Sequence, residues 1–153
     1  MINTVYVIAG PTATGKSDLS ISLAKKISGA VINSDSMQVY ENLEILTARP
    51  TLSEMKNINH HLYGFVDGNE RYNVERWCND AAAVIKKTSA NNLTPILVGG
   101  TGLYINTLIN GLIDLPSIPE LIKIESEKIL QEFGKDFLIK QIKNIDPESL
   151  KEI

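Results

Sequence analysis

The chain has 153 residues, 43% of them hydrophobic and 22% charged, which is enough for one globular domain with its own core. A net charge of −3 and a pI near 5.4 argue against a generic nucleic-acid binder, because such proteins carry a basic face, and acidic residues still outnumber basic ones beyond Ile113. No apolar run approaches the roughly 18 residues of a membrane span, no secretory leader is visible, and the one cysteine, Cys78, excludes an internal disulfide framework. A cytoplasmic, monomeric protein that does not meet the membrane is expected.

Residues 4–9 form a short apolar run rich in β-branched side chains, stopped by Gly10-Pro11, and read as a buried strand. The segment Gly10-Pro11-Thr12-Ala13-Thr14-Gly15-Lys16-Ser17 matches G-x-x-x-x-G-K-[ST], the phosphate-binding P-loop. Its glycines let the backbone curl so that successive N–H groups point at phosphate oxygens, and the next helix offers its positive N-terminus to the same anion. Lys16 adds a mobile point charge, and Ser17 can ligate Mg²⁺. The motif therefore points to a diphosphate or triphosphate group with Mg²⁺. A nucleoside triphosphate such as ATP is its default ligand, but any diphosphate satisfies the same donors. Leu19, Leu23, Ala24 and Ile27 then recur at helical spacing, and Gly29 occupies a C-cap position.

Residues 30–33 read as a second buried strand ending in Ser34-Asp35-Ser36. Ligands of open parallel sheets sit outside the carboxyl ends of the strands. Asp35 is thus placed near the P-loop, either as a general base or metal-associated carboxylate or as a turn cap. Residues 41–71 are less periodic and read as loop-rich, with a short helix near residues 53–57. His60-His61 reads as part of a loop, not as a metal site. Val74, Trp77, Cys78, Ala81, Ile85 and Thr88 mark a helix capped by Asn73, with Trp77 in the core and Cys78 a buried free thiol. Residues 94–98 read as a third buried strand. It runs into Gly99-Gly100-Thr101-Gly102, a second source of free N–H groups plus one hydroxyl, or else a turn needing glycine for positive φ. An apolar helix with Leu103, Ile105, Leu108 and Ile109 follows. Pro116 and Pro119 mark a boundary, and residues 121–145 are charged and helical, broken near Gly134. This order predicts an α/β domain with a parallel sheet covered on both faces over residues 1–115. Residues 116–153 read as the start of a helical insertion.

Taken together, these blocks resemble the tRNA dimethylallyltransferase family, also called tRNA isopentenyltransferase. The resemblance rests on the P-loop itself, on Ser34-Asp35-Ser36-Met37-Gln38-Val39-Tyr40, on Thr47-Ala48-Arg49-Pro50, on His60-His61-Leu62 and on the segment from Pro95 to Tyr104. It is strong over the first 115 residues and weak beyond. It implies a P-loop NTPase-like three-layer fold in which Gly10, Pro11, Thr12, Ala13, Thr14, Gly15, Lys16 and Ser17 hold the diphosphate of dimethylallyl diphosphate rather than ATP. The prenyl group would pass to N6 of the adenine 3′-adjacent to the tRNA anticodon. By the same resemblance Asp35 is the general base and Thr101 a substrate-contacting threonine, while Lys16 with Mg²⁺ acts on the leaving diphosphate. Asp35, Ser36, Met37, Gln38 and Thr101 would meet the anticodon stem-loop, and Lys123 is the nearest candidate for a basic tRNA contact that the family carries around Pro119.

Two positions depart from the family pattern: Leu46 stands where glycine is usual, and Arg49 where lysine is usual. Family members are also about double this length, with an arginine-rich block after the segment resembling residues 146–153. The chain is accordingly expected to be an incomplete form that binds the donor without transferring it. The rival readings are a small P-loop kinase using ATP and a non-catalytic diphosphate- or RNA-binding remnant.

Overall fold

In the computed structural model, which describes residues 4–111, 118–148 and 150, strands and helices alternate through the first part of the chain. The order is β1 (Tyr6–Ala9), α1 (Lys16–Ile27), β2 (Gly29–Asn33), β3 (His60–His61), α2 (Val74–Ala90), β4 (Thr94–Gly99), α3 (Gly102–Asn110) and α4 (Glu120–Ile145). The four strands make one sheet in the order β1-β4-β2-β3, and every pairing is parallel. The chain divides into two compact units, Met1–Leu112 and Ile113–Ile153. The boundary expected at residues 115–116 lies outside the described residues.

Side chains of adjacent strand residues point to opposite faces, so each central strand feeds two cores. On one face Val31, Ile96 and Val98 pack with Ala24 of α1. On the other, Ile32 and Leu97 pack with Trp77, Ala81 and Ile85 of α2 and with Tyr104 of α3. Helices on both faces of a parallel sheet give the expected three-layer α/β architecture. Trp77 is fully buried as expected. It stacks on Tyr104 with ring centroids 4.6 Å apart, and its Nε1–H donates to the carbonyl of Asn33 at 2.9 Å. That bond ties α2 to the carboxyl end of β2, where the site lies. Asn73 caps α2 by accepting from the Arg76 N–H.

Several expectations are corrected. β1 is not buried: among the described residues it is the outer strand, paired with β4 alone, and Tyr6 and Val7 are each about 40% exposed. Gly29 does not cap α1. Ser28 does, at φ 51°, and Gly29 opens β2, where an added Cβ would lie 2.6 Å from Ile96 Cδ1 and 3.1 Å from the Ala24 α-carbon. Residues 53–57 form turns rather than a helix, while Glu41–Leu43 makes a short 3₁₀ turn. His60 and His61 pair with Val31 and Ile32 as a strand. Helix α1 buries Ser20, Ile21 and Ala24, leaving Leu19 exposed, and α3 buries Tyr104 and Thr107, leaving Leu103 and Ile109 exposed. Cys78 is only half-buried. In the second unit α4 is broken at Gly134, whose φ of 77° interrupts the helix as its sequence suggests.

Candidate active site

The P-loop joins the end of β1 to the start of α1. Gly15 sits at the helix N-cap with φ 78° and ψ 16°, a left-handed conformation that disfavours any side chain with a Cβ, and Ala13 is also left-handed at φ 61°. These turns curl the loop and leave the first N–H groups of α1 facing outward, with no side chain capping them. The loop is pinned internally at the Pro11 carbonyl, which accepts from Thr14 Oγ1 at 2.9 Å and from Lys16 Nζ.

Asp35 follows β2 and is held by Asn33, which is fully buried. Asn33 Oδ1 accepts from the Asp35 N–H at 2.9 Å, and Asn33 Nδ2 donates to the carbonyls of Asp35 and Leu62 at 3.0 and 2.9 Å. The Asp35 carboxylate itself caps the next turn: Oδ1 accepts from the N–H of Met37 at 2.9 Å and, more weakly, of Gln38 at 3.4 Å. Among the described residues Oδ2 takes no protein hydrogen bond. Turn cap and reactive carboxylate, set against each other by the sequence, are therefore compatible, one oxygen for each.

The glycine-rich turn after β4 lies against this segment. The Ser34 N–H donates to Val98 O at 2.8 Å, and the Ser36 N–H donates to Thr101 Oγ1 at 3.0 Å. A Cβ on Gly99 would lie 2.4 Å from the Ser34 carbonyl carbon, and one on Gly100 would lie 3.3 Å from the Gly10 carbonyl oxygen. Neither glycine has positive φ; close backbone approach excludes a side chain at Gly99 and only crowds one at Gly100.

A cavity of about 430 Å³ is lined by Thr12, Ala13, Thr14, Gly15, Lys16 and Ser17 of the P-loop, by Asp18, which the sequence reading did not select, by Asp35, Met37 and Gln38, and by the carboxyl end of β4. Gly10, Pro11, Ser36 and Thr101 do not line it. Thr101 instead holds the Asp35–Ser36 turn in place. Lys123 belongs to the second unit, where Nζ lies 3.1 Å from Glu120 Oε2.

The remaining lining residues, Leu46, Thr47, Ala48 and Tyr63, escaped the sequence reading as site residues. The segment is anchored by Gln38 Nε2, which donates to Thr47 O at 2.9 Å, and by the mostly buried Arg49, which donates to Tyr40 O at 3.0 Å and pairs with Glu44 at 3.1 Å. The Arg49 guanidinium occupies the space that a side chain on Gly64 would need. Burial first, and then the Asp35 charge, push the Tyr63 phenol well above its ordinary pKa, so it stays protonated. The family block from Thr47 to Pro50 and the departure at Leu46 were the sequence signals for this wall.

The donor set suits Mg²⁺. Ser17 and Asp35 offer hard oxygens on one cavity, and no cluster of three or more His, Cys, Asp or Glu side chains able to hold a metal occurs among the described residues. Mg²⁺ favours this arrangement, since it takes one or two protein ligands and completes its shell with phosphate oxygens and water.

Residues 38–153 match the family model described as IPP transferase, and residues 3–65 match that described as isopentenyl transferase. The tRNA dimethylallyltransferase of Pelagibacter ubique (strain HTCC1062) is 46% identical over 144 residues, covering 94% of this chain and 46% of that protein. That of Hyphomonas neptunium (strain ATCC 15444) is 46% identical over 147 residues, covering 96% and 46%. Among solved structures, the full-length tRNA isopentenylpyrophosphate transferase of Bacillus halodurans is 37% identical with a TM-score of 0.71, over 98% of this chain and 50% of that one. A eukaryotic dimethylallyltransferase acting on tRNA is 36% identical with a TM-score of 0.81, over 97% and 37%. The chain thus spans about half the length of the curated relatives it matches. With the sequence matched almost from end to end and the P-loop fold shared, the chain belongs to the tRNA dimethylallyltransferase, or IPP transferase, family.

Proposed function

We propose that this chain carries the donor-binding and proton-accepting part of a tRNA dimethylallyltransferase, working on tRNA in the cytoplasm. The observation that supports this most is that the P-loop and Asp35 line one cavity. In this reading the backbone N–H groups of residues 12–17 and Lys16 bind the diphosphate of dimethylallyl diphosphate. Ser17 would hold Mg²⁺, which when bound neutralises charge on the diphosphate. The donor's C–O bond to diphosphate breaks as a bond forms from its allylic carbon to N6 of the adenine beside the anticodon. An adenine amine is a weak nucleophile because its lone pair is delocalised into the ring, so its proton must leave as the bond forms. Asp35 Oδ2 accepts that proton. Thr101 and Asn33 hold the carboxylate's turn, while Ser36, Met37 and Gln38 stand beside it for the flipped base. Lys123 is a candidate tRNA phosphate contact from the second unit.

Two measurements test the reading. In competition for this chain, dimethylallyl diphosphate should displace bound pyrophosphate at lower concentration than ATP does. The reverse order would favour a kinase. In a version extended to the relatives' length, Asp35→Asn should lower transfer to an anticodon stem-loop by about 10²–10⁴-fold, the usual contribution of a general base, and leave donor affinity within roughly threefold. Equal losses of rate and donor affinity would give Asp35 a metal-linked or structural role instead.

A further inference from the structure

Tyr63 lines the same cavity as the phosphate-binding loop and Asp35, and among the described residues its Oη makes no hydrogen bond. A tyrosine hydroxyl in a partly buried ring ordinarily finds a partner. This one is not sealed in the protein either, for the sealed and unpaired side-chain atoms among the described residues are the hydroxyls of Ser34 and Ser89. The ring is held in place. It packs with Val31, Ile96 and Val98, and its centroid lies 5.7 Å from that of His60. Its chain neighbours are tied to the residues that bracket Asp35: Leu62 O accepts from Asn33 Nδ2 at 2.9 Å, and the Gly64 N–H donates to Gln38 O at 2.9 Å. The two segments run side by side and continue the parallel pairing of β2 with β3. The ring also borders a smaller cavity of about 300 Å³ beside Arg49, but the charge that acts on the phenol is that of Asp35.

Asp35 Oδ2 can only accept a hydrogen bond, whereas the protonated Tyr63 hydroxyl has one to give. An acceptor beside a donor is the complement of the amine edge of adenine, where N6 gives a proton and the ring nitrogen next to it receives one. We propose that Tyr63 Oη–H donates to the ring nitrogen beside N6 of the acceptor adenine while Asp35 takes the N6 proton. This rests on the reading of the cavity as the prenyl-transfer site. One hydrogen bond leaves the base free to swing about the amine. A second fixes its orientation and so aims N6 at the allylic carbon. Tyr63 binds and orients the base; it neither gains nor loses a proton, and it takes no part in diphosphate binding.

The test is Tyr63→Phe, which keeps the ring and removes a hydroxyl that no protein group needs. Thermal melts of this chain should be unchanged, and calorimetry with Mg²⁺ and pyrophosphate should give wild type and variant the same affinity. In the version extended to the relatives' length, kcat/KM for an anticodon stem-loop should fall about 3–10-fold, the worth of one hydrogen bond. Stem-loops carrying 1-deazaadenine or 7-deazaadenine at the target position replace one ring nitrogen each by C–H. On one of the two the variant should equal wild type, because the bond is already gone, and that analogue names the nitrogen. If Tyr63→Phe matches wild type on adenine, or stays equally far below it on both analogues, the role of Tyr63 is overturned and the transferase reading stands. A pyrophosphate affinity that falls as much as the rate would place the hydroxyl on the diphosphate, and a lowered melting point would give it a protein partner; either result overturns the proposal. If wild type of that length transfers nothing to the adenine stem-loop, both readings fall.

Discussion

Lys16 rests on the carbonyl of Pro11 in its own loop. Under the proposed function a diphosphate would draw the ammonium away while Thr14 Oγ1 stays on that carbonyl, so the exchange would leave no backbone acceptor orphaned. The motif supplies every participant within six residues and marks Lys16 as a mobile charge, but the Pro11 contact itself appears only in the structure. Asn33 is different. Its side chain bonds Asp35 nearby and Leu62 far along the chain, its backbone carbonyl accepts from Trp77, and nothing local reveals the two distant partners. Asn33→Ala removes three side-chain hydrogen bonds in a buried place and leaves their backbone partners unpaired. The expected loss is about 2–4 kcal/mol of stability in urea denaturation, at roughly 1 kcal/mol per bond plus the cavity. A loss below about 1 kcal/mol would mean that water replaces the amide.

Among the elements, the glycine-rich turn after β4 shows why composition alone misleads. Gly99 must be glycine because two backbones touch, and only the pairing of β4 with β2 reveals the contact. Gly99→Ala should cost about 1–3 kcal/mol through overpacking against Ser34, whereas Gly102→Ala, which meets nothing within 4 Å, should stay within about 0.5 kcal/mol of wild type in the same assay. Strand β3 was equally hidden, for two residues carry no periodicity and their strand character comes from β2. Its histidines report on the packing. Burial holds the pKa of both below the ordinary 6.5, and the nearby charge of Lys87 lowers that of His61 further. The unfolded chain then binds more protons as pH falls below about 6.5, so stability should be level above pH 7 and decline below 6.5. Thermal melts across pH 5–8 would show this, and His61→Gln should flatten the decline. An unchanged slope would place the titration elsewhere.

For the whole molecule, alternation of apolar runs with helical stretches was enough to state the α/β class, since the runs at residues 4–9, 30–33 and 94–98 lack the polar alternation of a one-sided sheet. Strand order was not legible, and with it went the exposure of β1, since a strand's burial depends on neighbours it does not encode. That outer position bears on how the chain comes together in time. Tyr6 pairs with Ile96, roughly ninety residues later, whereas Val31 meets His60 across a third of that span. Closing the longer loop costs more chain entropy, and contacts distant in sequence form late. β1 is then expected to be seated last, with the phosphate loop that follows it taking shape only after β4 is in place. In pulse-labelling hydrogen exchange during refolding, the amides of Val31 and Ile32 should gain protection before those of Val7 and Ile8; simultaneous protection would instead describe a sheet that closes in a single step.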